Sequence, residues 1–182
     1  IYTTIVGCNT RKYHGLMAVP IDRFGGHRYM LLSALDETLL QHGMPFNLGI
    51  HCYGDIYEPR GHKYIVDFEM NPYPVITYRV GGMLFKKEIL FVVGAGQLLI
   101  RYTLLDAHSH TVLRLKPYLA FRSIHELTVA NAEADTHYRP EEVGVSFCLY
   151  KGFPRLHLQL SKKSDYVHAP DWYKNIVYKE RS

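Results

Sequence analysis

Val75-Ile76-Thr77-Tyr78-Arg79-Val80-Gly81-Gly82-Met83-Leu84-Phe85-Lys86-Lys87-Glu88-Ile89-Leu90-Phe91-Val92-Val93 is the stretch that decides the fold. Two runs of β-branched, aromatic and aliphatic residues flank a pair of glycines. Glycine takes up positive φ without steric cost, so Gly81-Gly82 predicts a two-residue hairpin of the primed type. Gly94-Ala95-Gly96 then leads into a third run, where Leu98, Ile100, Tyr102 and Leu104 alternate with Gln97, Arg101 and Thr103. A period of two puts apolar side chains on one face and polar ones on the other. Residues 74–106 therefore predict a three-stranded antiparallel meander.

The same alternation extends through most of the chain. Leu113, Leu115, Pro117, Leu119 and Phe121 alternate with Arg114, Lys116, Tyr118 and Arg122. Leu156, Leu158 and Leu160 alternate with Arg155, His157, Gln159 and Ser161. Residues 28–41 read as one long strand or two collinear ones, with the acidic pair Asp36-Glu37 inside an apolar segment. Further strands are predicted over 143–150 and 155–161. Residues 53–63, rich in Gly, Asp, Pro and Arg, read as a long loop, and Asn71-Pro72-Tyr73-Pro74 as a rigid corner. Ser123-Ile124-His125-Glu126 has capping-box spacing, which predicts one or two helical turns over 123–134. The expected fold is all-β, a large antiparallel β-sandwich with at most one or two short helical turns.

The 182 residues suit one domain, and 47% apolar with 21% charged content is ordinary globular material. The net charge of +4 is mild and includes no block of cations, so nucleic acid is not an expected partner. No apolar run approaches the roughly 20 residues of a membrane helix, and no membrane partner is expected. Cys8, Cys52 and Cys148 are widely spaced and odd in number, which favours a reducing, cytoplasmic setting. Neither phosphate-binding glycine motif is present. His51-Cys52 is adjacent rather than at ligand spacing, and His108 and His110 sit in a turn-like context, so no metal or cofactor is expected. Ile1 opens inside an apolar run without an initiator Met or signal peptide, and the chain is read as a fragment of a longer polypeptide.

Candidate chemistry gathers near the start. Asn9-Thr10-Arg11-Lys12-Tyr13-His14-Gly15-Leu16 offers an amide, a hydroxyl, two cations, a phenol and an imidazole ahead of an apolar run. Loops held by strands are common sites for binding residues, although a polar turn also accounts for the composition. Asp36 and Glu37, being adjacent on a strand, face opposite ways and cannot form a catalytic couple by themselves. Arg114, Lys116, Tyr118 and Arg122, with His125 just beyond, form a basic and aromatic stripe suited to a sugar, a phosphate or another protein domain, or else a solvated sheet face.

Residues 9–16 resemble the Asn-Thr-Arg-Arg-Tyr-His-Gly-Leu signature of the N-terminal domain of bacterial and archaeal glycogen debranching enzymes. The resemblance continues at Leu32-Ser33-Ala34-Leu35-Asp36-Glu37-Thr38, Pro59-Arg60-Gly61-His62-Lys63-Tyr64, Asn71-Pro72-Tyr73-Pro74 and Tyr78-Arg79-Val80. It also takes in Arg114-Leu115-Lys116-Pro117-Tyr118-Leu119-Ala120-Phe121-Arg122 with His125, then Trp172-Tyr173-Lys174-Asn175 with Tyr178 and Glu180. Lys12 stands where a second Arg is usual, keeping charge but losing the forked geometry.

The resemblance implies a single β-sandwich domain over 1–182, a supersandwich of the glucoamylase and mutarotase type. This would be the non-catalytic part of an amylo-α-1,6-glucosidase, a glycoside hydrolase of glycogen metabolism, whose C-terminal (α/α) barrel supplies catalysis. Its expected partners are that barrel and an α-glucan, glycogen or maltooligosaccharide. It implies no catalytic residue here. The residues expected to contact substrate or the other domain are Asn9, Arg11, Tyr13, His14, Asp36, Glu37, Arg60, His62, Arg122 and His125. Two other readings stay open: a stand-alone sugar mutarotase or epimerase, pairing His14, His62 or His125 with Glu37, and a purely structural interdomain module.

Overall fold

The computed structural model describes residues 8, 9, 12–174 and 176. They form thirteen strands and two short 3-10 turns, an all-β architecture of antiparallel sheets. The predicted meander is present. β7 (Val75–Val80) and β8 (Met83–Val92) are joined by Gly81-Gly82 with φ of 55° and 77°, and β9 (Gln97–Asp106) follows. β6 (Ile65–Glu69) adds a fourth strand, in the order β6-β7-β8-β9.

A long ribbon carries the rest. β2 (His27–Gln41) pairs along its length with β10 (Thr111–Ser123), from Tyr29↔Ser123 to Gln41↔Thr111. On its other edge lie β1 (Met17–Ile21), beside residues 27–32, and β3 (Met44–Asn47), beside residues 38–41. Fifteen residues of β2 thus serve three partners, and its two halves serve two cores. Leu39, Leu48, Ile76, Tyr78, Val80, Met83 and Phe85 pack the ribbon against the meander. Leu16, Leu31, Leu32, Phe121 and Leu156 pack its other half against β13 (Leu156–Gln159). β13 belongs to a small sheet with β11 (Tyr138–Glu141) and β12 (Gly144–Phe147).

Residues 53–63 are not a long loop. β4 (Ile50–Tyr53) and β5 (Ile56–Arg60) form a hairpin about Gly54-Asp55, and a 3-10 turn, Gly61–Tyr64, follows. Gly61 explains the tight return: its N–H donates to the Gly49 carbonyl at 2.9 Å, and a Cβ there would fall 1.9 Å from the Leu48 carbonyl oxygen.

Residues 124–137 are not helical. Side chains take the N–H groups that a helix would use. Ser123 Oγ accepts from His125 N at 3.2 Å, and Asn131 Oδ1 accepts from the N–H groups of Glu133 and Ala134, each at 3.1 Å. Such local side-chain bonds compete with helix formation.

One buried ion pair ties the ribbon to the meander. Glu37, 4% exposed, meets Lys87 Nζ at 2.6 Å and accepts from the Tyr102 hydroxyl at 2.6 Å. Burial, then the Glu37 charge, pushes the Tyr102 and Tyr78 phenols well above their ordinary pKa. On β8 and β9, Arg101 forks onto both oxygens of Glu88 at 2.7 Å. That side-chain pairing, led by its hydrogen bonds, holds the Glu88 carboxyl below its ordinary range.

Candidate functional site

The period-two alternation of β2 sends Glu37 into the core and Asp36 to the opposite face. There Asp36 Oδ2 accepts from His51 Nε2 at 2.6 Å and from the Tyr118 hydroxyl at 2.9 Å. Gly49 leaves room for this: a Cβ there would lie 2.7 Å from the Asp36 carboxyl carbon. Lys116 is the cross-strand partner of Asp36. Its ammonium donates to the Tyr173 hydroxyl at 2.6 Å, and the Tyr173 ring stands 4.7 Å from that of Tyr118. The hydrogen bond from Lys116 lowers the Tyr173 pKa, while burial, ahead of Tyr173 and Asp36, raises that of Tyr118. Four parts of the chain therefore converge on one sheet face: β2, β4, β10 and the segment around Tyr173.

A second assembly forms at the far end of β10. Tyr13 sets its ring edge-on to His125 at 5.6 Å, and its N–H donates to the Ile124 carbonyl at 3.5 Å. Tyr13 is 52% exposed, with φ of 43°, whereas the next residue, His14, is 8% exposed. Burial lowers the His14 pKa, so the imidazole is held neutral. Arg122 Nη1 donates to the carbonyls of Ser123 at 3.1 Å and Glu126 at 2.9 Å, bracing the turn that carries His125.

The fold brings Tyr13, His14, Arg122 and His125 to this end. Asp36 lies on the sheet face with His51. Arg60 ends β5, its Nε donating to the Tyr57 carbonyl at 3.1 Å, and His62 lies 6.3 Å from the Tyr57 ring. Glu37 is spent on Lys87 and Tyr102, not on His14, His62 or His125. Asn9 is half-buried. Arg11 lies outside the described residues, as do Thr10, Asn175, Tyr178 and Glu180. Sequence reasoning missed His51 as a partner of Asp36. The signal lay in the Lys116 and Tyr118 stripe, whose other half comes from Tyr173.

Among the described residues, no group of three or more His, Cys, Asp or Glu side chains is placed to hold a metal ion. No helix among them is long and apolar enough to cross a membrane. The sheet-face cluster combines a carboxylate, an imidazole and two phenols, groups that hydrogen-bond hydroxyls and stack on sugar rings. The Tyr13 and His125 edge offers the same pairing in a more exposed setting.

Compared with known proteins, the chain matches the family described as glycogen debranching enzyme N terminal, over residues 1–182. It belongs to that family. No curated protein and no solved structure matches it. The glycogen debranching enzyme N-terminal match spans both assemblies described above.

Proposed function

We propose that this chain is a single, non-catalytic β-sandwich domain of a cytoplasmic glycogen debranching enzyme, an amylo-α-1,6-glucosidase. It supports a C-terminal (α/α) barrel that carries the catalytic carboxylates, and it contributes side chains to the binding of an α-glucan. The observation that carries this reading is the meeting of Tyr13 with His125. Residues far apart in sequence form an exposed aromatic and polar edge at a strand end, with a buried histidine next in the chain to Tyr13. Sugars are bound by such combinations, an aromatic face for the C–H side of the ring and planar polar groups for the hydroxyls. Asn9 and Arg11, from the same stretch of sequence, contribute further contacts to the glucan or to the barrel. Asp36, Arg60 and His62, at other positions of the fold, contact the barrel or the glucan. The described cysteines form no disulfide, in keeping with a reducing compartment.

The test uses the debranching enzyme that carries this chain. Tyr13→Ala with His125→Ala removes the edge while leaving both cores intact. The expected outcome is a maltooligosaccharide affinity weaker by about tenfold, the size of one lost stacking or charge-assisted contact, with an unchanged melting temperature. Unchanged affinity and turnover would remove this assignment.

A further inference from the structure

A cleft of about 400 Å³ opens beside the end of β10, within the roughly 300–1,000 Å³ typical of small-ligand sites. Its floor is aromatic. The rings of Phe24, Tyr29 and Phe153 meet pairwise at centroid distances of 5.1, 5.1 and 5.4 Å, and all three side chains line the cleft. Phe121, 2% exposed, closes the floor 5.7 Å from Phe153.

The rim is polar and comes from the segment that failed to become a helix. Glu126, Thr128 and Glu133 also line the cleft. Asn131 fixes their positions: its Oδ1 accepts from two backbone N–H groups, and its Nδ2 donates to the Val129 carbonyl at 2.9 Å and the Tyr150 hydroxyl at 3.0 Å. Arg122 braces the other side through its bonds to the carbonyls of Ser123 and Glu126. The irregular loop is thus organised in advance of any ligand, which reduces the entropy lost on binding.

An aromatic floor beneath carboxylates and a hydroxyl fits a pyranose ring. The apolar C–H face rests on the rings, and the sugar hydroxyls donate to Glu126 and Glu133, where charge-assisted bonds are strong. The lining sets two carboxylates, Glu126 and Glu133, against one cation, Arg122, which already donates to backbone carbonyls; this net negative balance disfavours a phosphorylated or acidic sugar and suits a neutral ring. We infer that this cleft binds a glucosyl unit of an α-glucan, a second anchoring point beside the Tyr13 and His125 edge. The inference rests on the glucan-binding reading proposed above and adds a site to it.

Hydroxyl-radical footprinting of the intact debranching enzyme with maltotriose tests both, because the two sites carry different reporters. Binding in the cleft lowers oxidation of Tyr29 and Phe153 severalfold at saturating maltotriose. Thr128→Trp, which fills the cleft, abolishes that protection. Glu133→Ala, at an exposed position, raises the concentration for half-protection by about tenfold, as loss of a hydrogen bond to a charged group implies. Absence of protection at saturation overturns the inference, as does protection that survives Thr128→Trp. Should Thr128→Trp not fold, an unshifted half-protection in Glu133→Ala overturns it instead. Protection at Tyr13 without Tyr29 and Phe153 overturns the cleft alone, and the reverse pattern overturns the edge alone.

Discussion

His14 shows how a single side chain ties the N-terminal loop to pH. It lies 8% exposed next to Tyr13 in the chain, and burial lowers its pKa from the ordinary value of 6.5. The folded chain therefore binds this proton less readily than the unfolded chain does. The stability His14 contributes is fully present above about pH 6.5 and is lost as pH falls below it. Thermal unfolding followed from pH 7.5 to 5 is expected to show a decline that is shallower in His14→Gln, which has no proton to gain. Equal slopes would mean that this imidazole does not titrate with folding. The neighbouring Tyr13 lies outside the core, with more than half of its surface meeting solvent. The sequence offered no means of telling the two apart: both sit in one polar run, and only their burial in the fold separates them.

At the scale of elements, the pair Glu37 and Lys87 couples β2 to β8, with the Tyr102 hydroxyl from β9 as third partner. Removing one partner strands the other charge in the core, a cost of about 3–5 kcal/mol. Glu37→Gln is therefore expected to lower unfolding free energy in denaturant by that amount. Glu37→Leu combined with Lys87→Met is expected to restore most of it, because a well-packed apolar pair is close to neutral or better. The elements themselves were unevenly legible. The hairpin at Gly81-Gly82 was plain because two adjacent glycines between alternating runs have few other uses. The hairpin at Gly54-Asp55 was hidden, since Pro59, Arg60 and Gly61 follow closely and make residues 53–63 resemble a loop. The helical turns expected over 123–134 failed because Ser123 and Asn131 bond the backbone themselves. That failure builds the rim of the aromatic-floored cleft.

For the molecule as a whole, local periodicity announced the sheets, but the sites depend on contacts that no local pattern records. Asp36 and His51 are 15 residues apart, Asp36 and Tyr118 are 82 apart, and Lys116 and Tyr173 are 57 apart. The cross-strand register of β2 and β10 sets Asp36 beside Lys116 and within reach of Tyr118, while His51 is brought in by β4 and Tyr173 by the segment beyond β13. The family match covers the whole chain, and the fold gathers several of the motifs into two clusters on one ribbon. One face holds Asp36 with His51, Tyr118 and Tyr173, and the end of β10 holds Tyr13 with His125. The most direct measurement is a crystal structure of the intact debranching enzyme with a branched maltooligosaccharide. Glucan density is expected in contact with the Tyr13 and His125 edge, with that edge turned toward the catalytic barrel. An edge turned to solvent, with the glucan held entirely by the barrel, would contradict it.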